Sequence, residues 1–270
     1  MQEPAIRPTN AIEKPVDSSS DLGWDNAALE RPHDRRDKAA RVRNMFNAIA
    51  PTYRFVNSLF SGGRDRAWRR KAVRLAQVQT DDRILDIACG TGDFLTEFTL
   101  APVKAHRFVG TDFAHEMLMR AANASRDHRA LMKWCEADAL LLPFADESFT
   151  IASCAFGVRN FQCLTTGLRE MARILAAGGK AVIVEFSLPK NRVVRPFIDA
   201  YTHWFMPKAA AIISRDKVGA YQYLPKSVDL FLTPEEMIEQ LRGAGFDQPA
   251  AYPVTFGMVT IYIATKTSHE

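Results

Sequence analysis

The sequence predicts an α/β fold: a parallel sheet with helices on both faces, preceded by a helical lid and closed by an antiparallel hairpin. Three observations predict it. Apolar runs that read as strands alternate with amphipathic helical stretches between Ile84 and Phe186. A glycine turn, Gly90-Thr91-Gly92, joins the first run to the first of those helices. Two final strands, about 247–254 and 258–265, turn on Thr255-Phe256-Gly257, which is not how a dinucleotide-binding sheet ends.

The elements follow in order. Residues 1–34 are rich in Pro, Ser, Asp and Asn without a period and read as a disordered tail, leaving residues 35–270 as one domain. Acids at Glu3, Glu13, Asp17 and Asp21 make that tail a poor organelle transit peptide. From Asp37 to Ala50, Val42, Met45, Phe46 and Ile49 share a helical face, and Pro51 stops that helix. Tyr53 to Gly63 reads as an irregular segment. A second basic helix, about Arg64 to Val78, turns Trp68, Ala72, Leu75 and Ala76 inward. This 35–78 region either covers a ligand crevice or packs on the sheet edge. Strands are expected at 107–111, 131–136, 149–154 and 181–186, with helices at 115–126 and 164–175. Gly178-Gly179 reads as the C-cap of the latter. Residues 195–232 form a substrate-side insertion whose 195–213 stretch is rich in large apolar side chains and broken by Pro207. Thr233-Pro234-Glu235-Glu236 caps a last helix that runs to Ala244-Gly245.

Composition narrows the class. With 47% hydrophobic and 24% charged residues the 270-residue chain is globular. No apolar run approaches the about 18 residues of a membrane span, and no secretory signal is expected. Cys89, Cys135, Cys154 and Cys163 lack metal-ligand spacing, so no metal or disulfide is expected and a cytoplasmic setting follows. The net charge of +4 is uneven. Residues 35–74 hold twelve Lys/Arg against two Asp, +10, which leaves −6 for the remainder. Such a segment favours anionic lipid or nucleic acid, or is simply a solvated helix face.

The first strand and its turn, Arg83 to Asp93, carry the first chemical signal. The third glycine of the dinucleotide fingerprint is absent, since Leu95 stands there. Asp86 lies within the strand and Asp93 opens the helix, where a carboxylate repels a pyrophosphate. The reading is therefore a nucleoside ligand without phosphates, which S-adenosylmethionine fits, set against a plain strand-turn-helix. Asp112 closes the next strand, at the distance past the glycine turn where a ribose-binding carboxylate is usual. It accepts from both ribose hydroxyls, caps the following helix, or does both. Asp138, or the backbone N–H of Ala139, reaches an adenine edge, or Asp138 is an ordinary loop acid. Arg159 and Asn160 follow the fourth strand at the crevice end of the sheet. They donate to an oxygen-rich acceptor there, or merely cap the loop, with Arg159 paired to a surface acid. The six histidines form no cluster, so a lone His as general base is unsupported.

At these residues the chain resembles the quinone-biosynthesis C-methyltransferases of the UbiE type, over roughly 41–266. The resemblance rests on Met45 to Tyr53, Trp68-Arg69-Arg70, Leu85 to Asp93, Phe156-Gly157-Val158-Arg159-Asn160 with Leu168 to Met171, Gly178 to Ser187, Ala220 to Ser227, and Ala244-Gly245-Phe246. It implies a Rossmann-like, seven-stranded class I methyltransferase sheet. It implies S-adenosylmethionine as co-substrate, held by Asp86, Gly90, Thr91, Gly92, Asp112, Asp138 and Ala139, with no metal. It implies methylation of a ring carbon on a prenylated benzoquinol or naphthoquinol, with Arg159, Asn160 and Tyr53 on the substrate side. The chain departs from the family pattern at Arg54 (usually Asp), Asp65 (usually His), Ala155 (commonly Ser) and across 56–61.

The expected reaction is direct transfer to a quinol carbon made nucleophilic by loss of a hydroxyl proton, with Arg159 stabilising the phenolate or orienting a water. The alternatives are methylation of another lipid-like acceptor, or a non-catalytic donor-binding subunit of a quinone-synthesis complex. A prenylated substrate resides in the membrane, so the basic segment and the 195–213 stretch are expected to meet anionic lipid at its inner face. Nucleic acid is not an expected partner, and a homo-oligomer is left open.

Overall fold

The computed structural model describes residues 22–103, 105–125, 132–189, 195–200, 216 and 218–267. Its centre is one seven-stranded sheet. The strands are β1 (Arg83–Ile87), β2 (Arg107–Asp112), β3 (Met132–Glu136), β4 (Phe149–Ala155), β5 (Leu175–Phe186), β6 (Phe246–Val254) and β7 (Val259–Lys266). They lie in the order β3-β2-β1-β4-β5-β7-β6. The first five are mutually parallel, and β7 runs antiparallel between β5 and β6. The chain leaves β1 toward one edge and returns at β4 to build toward the other. The carboxyl ends of β1 and β4 therefore flank a topological switch point, where ligands of such sheets bind.

The pleat explains the layers. Within β1, Ile84 joins Phe94, Phe98, Phe108 and Ile151 on one face, whereas Leu85 and Ile87 join Val109, Leu168, Met171 and Met237 on the other. Both faces are thus filled, as a parallel sheet requires. The helices that fill them include α5 (Asp93–Thr99) on the first face and α7 (Leu164–Ile174) on the second. The helix α6 (His115–Ala124) follows β2. A complete capping box at Thr233 and Glu236 starts the helix Pro234–Gly243, which packs Met237 and Leu241 into the second face.

The lid divides between its two expected roles. Helix α4 (Arg64–Ala76) packs Trp68, Ala72 and Ala76 with Val182, Val184 and Ile261 on the sheet. Helices α2 (Lys38–Ile49) and α3 (Tyr53–Ser61) instead lie over the crevice, with Met45, Ile49 and Val56 packed among Ala114, Met117, Tyr221 and Tyr223.

Three expectations need correction. Residues 53–61 are helical rather than irregular. Pro51 stops α2, but Val56 and Phe60, one helical turn apart, restore an apolar stripe at once, and Gly62 ends it in the left-handed region. Gly178-Gly179 does not cap α7, because Leu175 already extends into β5. The glycines sit where the β4–β5 register slips from Phe149↔Leu175 to Ile151↔Lys180. The tail expected over residues 1–34 is ordered from residue 22 onward. Asn26–Glu30 is a short helix capped by Asp25, and Trp24 is buried and stacked on Tyr223 with ring centroids 4.1 Å apart. A large aromatic surface with a partner overrides the polar composition around it. The apolar stretch 201–213 and residues 1–21 lie outside the described residues. Among those described, no helix is long and apolar enough to cross a membrane.

Candidate active site

The turn after β1 is built from residues at positive φ: Ala88, Gly90 and Gly92. Gly92 is required twice over, since its φ is +78° and a Cβ there would stand 2.6 Å from the Trp134 ring. The turn is tied to β2 by Asp112, whose Oδ2 accepts from the Gly90 N–H at 2.8 Å. Its Oδ1 accepts from the Ala114 N–H at 2.8 Å. Ala114, not Asp112, holds the N-cap position of α6. Each carboxylate oxygen keeps a lone pair for a ribose hydroxyl. Burial raises the Asp112 carboxyl to about 6, against the pull of its backbone hydrogen bonds.

Gly90 and Asp112 open onto a cleft with about 620 Å³ of space free of protein atoms, counting the part open to solvent. Asp138 and Ala139 after β3 form its far wall, and Gly157 and Asn160 after β4 its near one. Asp138 is exposed, and its Oδ1 accepts from the Leu140 N–H at 2.9 Å. Three other expected donor ligands are not cleft-lining. Gly92 packs on Trp134. Thr91 turns its hydroxyl to Asp93 Oδ2 at 2.6 Å. Asp86 lies buried beneath the turn, with Oδ1 accepting from Ser153 at 2.7 Å and Oδ2 without a partner. Burial raises the Asp86 carboxyl to about 7. The set of acids at this turn, Asp112 in the cleft with Asp93 and the partly protonated Asp86 behind it, disfavours a phosphate and favours a cationic nucleoside. S-adenosylmethionine, whose sulfonium and ammonium are positive, fits that set. Arg54, where the family pattern has an acid, pairs through Nε with Asp93 Oδ1 at 2.7 Å. The charge reversal thus ties the lid to the first turn of α5.

A second cavity, of about 1640 Å³ by the same measure, adjoins the cleft and shares Phe46, Tyr53 and Phe156 with it. Its walls are mostly apolar, with Phe60, Phe186, Leu224 and Phe256 among them. Burial pushes the Tyr53 hydroxyl up, while the Arg69 and Arg159 charges pull it down. Tyr53 and Arg159 both line this cavity, and Asn160 lines the cleft beside it.

The end of β4 aims both polar residues. Phe156 takes the left-handed conformation and Gly157 follows, where a Cβ would stand 2.6 Å from Cys154 Sγ. The Phe156 carbonyl then accepts from Arg159 Nη1 at 2.8 Å and from Asn160 Nδ2 at 3.1 Å. Asn160 Oδ1 accepts from the Tyr223 hydroxyl at 2.9 Å. Arg159 is also paired, not with a surface acid but with fully buried Glu185, Nη1 to Oε1 at 2.7 Å. Its guanidinium lies over the Phe186 ring at 5.3 Å.

Glu185, Tyr223, Trp24, Asp65 and Arg69 do not emerge from the sequence as site residues. Glu185 carried one signal, a lone charge within the apolar run Ala181 to Phe186. Asp65 and Arg69 line the acceptor cavity as an i,i+4 ion pair at 2.7 Å. Their spacing was visible, but their direction was not.

Comparison with known proteins agrees with this geometry. The model of the ubiE/COQ5 methyltransferase family matches residues 34–266. A demethylmenaquinone methyltransferase of Deinococcus radiodurans is 38% identical over 86% of this chain and 95% of its own length. The ubiquinone/menaquinone biosynthesis C-methyltransferase UbiE of Geobacter sulfurreducens is 38% identical over 85% of this chain and 90% of its own. Among solved structures, the [4+2]-cyclase SpnF superposes with a TM-score of 0.63 at 17% identity, covering 86% of this chain and 97% of that one. That likeness concerns the fold alone. A family match across nearly the whole described chain, with relatives at 38% identity spanning it, means that this chain belongs to the ubiE/COQ5 methyltransferase family and is an S-adenosylmethionine-dependent methyltransferase.

Proposed function

We propose that the enzyme methylates a ring carbon of a prenylated quinol, either demethylmenaquinol or 2-polyprenyl-6-methoxy-1,4-benzoquinol. The observation that carries this reading is the largely apolar cavity that shares Tyr53 and Phe156 with the donor cleft. A flat aromatic head fits between those rings, and the apolar walls suit a prenyl tail. The names of the Deinococcus and Geobacter relatives point to the same substrates.

S-adenosylmethionine supplies a methyl group already activated by its sulfonium. The protein's tasks are alignment and exclusion of water. Gly90 and Asp112 hold the nucleoside, and Asp138 with Ala139 borders the adenine side. Arg159, fixed by Glu185 and the Phe156 carbonyl, offers its guanidinium to the oxygen that gains charge. Asn160, braced by Tyr223, and Tyr53 set the ring's orientation.

The prenyl tail implies contact with a membrane surface. Helix α3 exposes Phe55 at 62% and Leu59 at 50%, and the β6–β7 turn exposes Phe256 at 75%, at the cavity wall. Exposed Arg64, Arg66 and Arg70 add positive charge nearby in sequence. Arg66 and Arg70 share one acid, Glu97, so a positive excess remains. Flotation with phosphatidylglycerol vesicles at low salt should carry the protein upward, and absence from the vesicle fraction would exclude this contact.

The functional test is transfer of a labelled methyl group to short-tail forms of both quinols side by side. Label in either product is expected, and label in neither overturns the proposal.

A further inference from the structure

The quinol reading leaves one proton unaccounted for. A quinol carbon becomes strongly nucleophilic only when its neighbouring hydroxyl loses a proton, and some group must receive it. Arg159 is unsuited, because a guanidinium stays protonated in proteins. Glu185 is unsuited because it is fully buried and engaged: Oε1 accepts from Arg159 Nη1 at 2.7 Å and from the Phe186 N–H at 2.8 Å, and Oε2 from the Arg159 N–H at 3.3 Å. Asn160 has no basic atom at neutral pH. Tyr53 keeps its proton, since burial holds its hydroxyl above the ordinary tyrosine range. Asp112 lines the donor cleft and not the acceptor cavity.

Among the described residues lining the acceptor cavity, the single carboxylate is Asp65. It stands in the first turn of α4 with its side chain 18% exposed. Arg69, 7% exposed, holds Oδ2 at 2.7 Å, and Ser61 Oγ donates to Oδ1 at 2.9 Å. The Arg69 guanidinium lies 5.4 Å over the Phe156 ring, the wall shared with the donor cleft. Its Nε is buried without a partner, so the pair is not a saturated surface bridge. The other charged or titratable groups facing this carboxylate across the cavity are Arg64 from the same helix, Tyr53 from α3, Arg159 from the turn after β4, and Tyr221 and Tyr223 from the helix Ala220–Asp229.

We propose that Asp65 is the general base of the reaction, taking the acceptor's hydroxyl proton directly or through one water while Arg69 fixes the carboxylate. The inference rests on the quinol reading. The hydroxyl O–H bond breaks and its proton goes to a carboxylate oxygen of Asp65. The electron pair left on oxygen conjugates into the ring, whose carbon forms the new C–C bond as the C–S bond breaks with its electrons to sulfur. The hydrogen on the methylated carbon leaves as a proton to solvent. Its electrons restore the aromatic ring, and Asp65 returns its proton to the oxygen. One proton is released per turnover.

The test uses the full chain and a short-tail quinol that the wild type methylates. Asp65→Asn should lower kcat by about 10²-fold or more, the scale of lost acid–base catalysis. S-adenosylhomocysteine affinity by calorimetry should be unchanged. Formate should partly restore turnover to Asp65→Gly. Asp65→His should keep activity with the acid limb of its pH profile moved up by about two units, the gap between carboxylate and imidazole ranges. Asp65→Asn turning over within threefold of wild type, or a pH profile unmoved in Asp65→His, overturns the assignment. If the wild type labels neither quinol, the substrate reading fails instead.

Discussion

Removing Arg159 disturbs the fold and the chemistry together, and the structure shows how to separate them. Arg159→Met alone leaves the Glu185 carboxylate buried with two backbone N–H donors, Phe186 and residue 159, and no cation. Breaking a buried pair from one side costs about 3–5 kcal/mol. Glu185→Gln alone keeps an acceptor at Oε1 but leaves Arg159 uncompensated, apart from the Phe156 carbonyl and the Phe186 ring. Arg159→Met with Glu185→Gln removes both charges. Urea unfolding should place the double variant within about 1–2 kcal/mol of wild type, because no unpaired buried charge remains. Turnover of label should stay down by about 10²–10³, equivalent to about 2.7–4 kcal/mol and the scale of one oxyanion donor. A double variant that is stable and turns over within tenfold of wild type refutes the reasoning, and Arg159 is then a structural residue.

Three further outcomes follow from the same geometry. Asp86 stands at about 7 in the fold against 3.8 unfolded, so the folded state binds more protons between those values; its contribution, roughly 4 kcal/mol, is fully present below 3.8 and lost as pH rises through 7. In Asp86→Asn the decline of unfolding free energy between pH 5 and pH 8 should therefore flatten, measured by urea titration at each pH. Trp24→Ala should cost about 3–5 kcal/mol by losing a buried stack on Tyr223, and kcat should fall as Tyr223 loosens its hold on Asn160. Gly110→Ala should lower the thermal midpoint by an overpacking cost of about 1–3 kcal/mol, since the new Cβ would stand 2.5 Å from the Trp134 ring.

The parallel sheet was legible because each strand is an apolar run bounded by turn residues, and the register then follows from burial. Gly90 and Asp112 were legible because a glycine turn and a carboxylate closing the next strand are signals that need no long-range contact. Gly178-Gly179 was misread because a glycine pair after a helix is equally the mark of a C-cap and of a bulge. Which one forms depends on β4, on the far side of α7 in the chain. Trp24 was missed because one aromatic in a polar stretch has no period, and its partner Tyr223 lies toward the opposite end of the chain. The place of Gly92 against Trp134 was hidden for a related reason. Its lack of a Cβ serves the Trp134 ring, and a sequence shows the missing Cβ but not what fills the space.

Of the three arginines lining the acceptor cavity, the two buried ones are each neutralised by a paired acid, Arg159 by Glu185 and Arg69 by Asp65, while Arg64 is exposed to solvent. A buried guanidinium without a paired acid would hold a preformed anion tightly in the ground state. Binding of that kind lowers KM without raising kcat. A compensated pair leaves the cavity receptive to a neutral quinol, and its donors gain strength only as charge develops on oxygen. The two pairs still differ in what they release. Glu185 is enclosed by backbone donors, so the Arg159 pair is rigid and suited to orientation. Asp65 is partly open, so it is the acid of the two that can exchange a proton with an acceptor. This division follows from where each acid is anchored, Glu185 inside a central strand and Asp65 at the N-terminal turn of a lid helix.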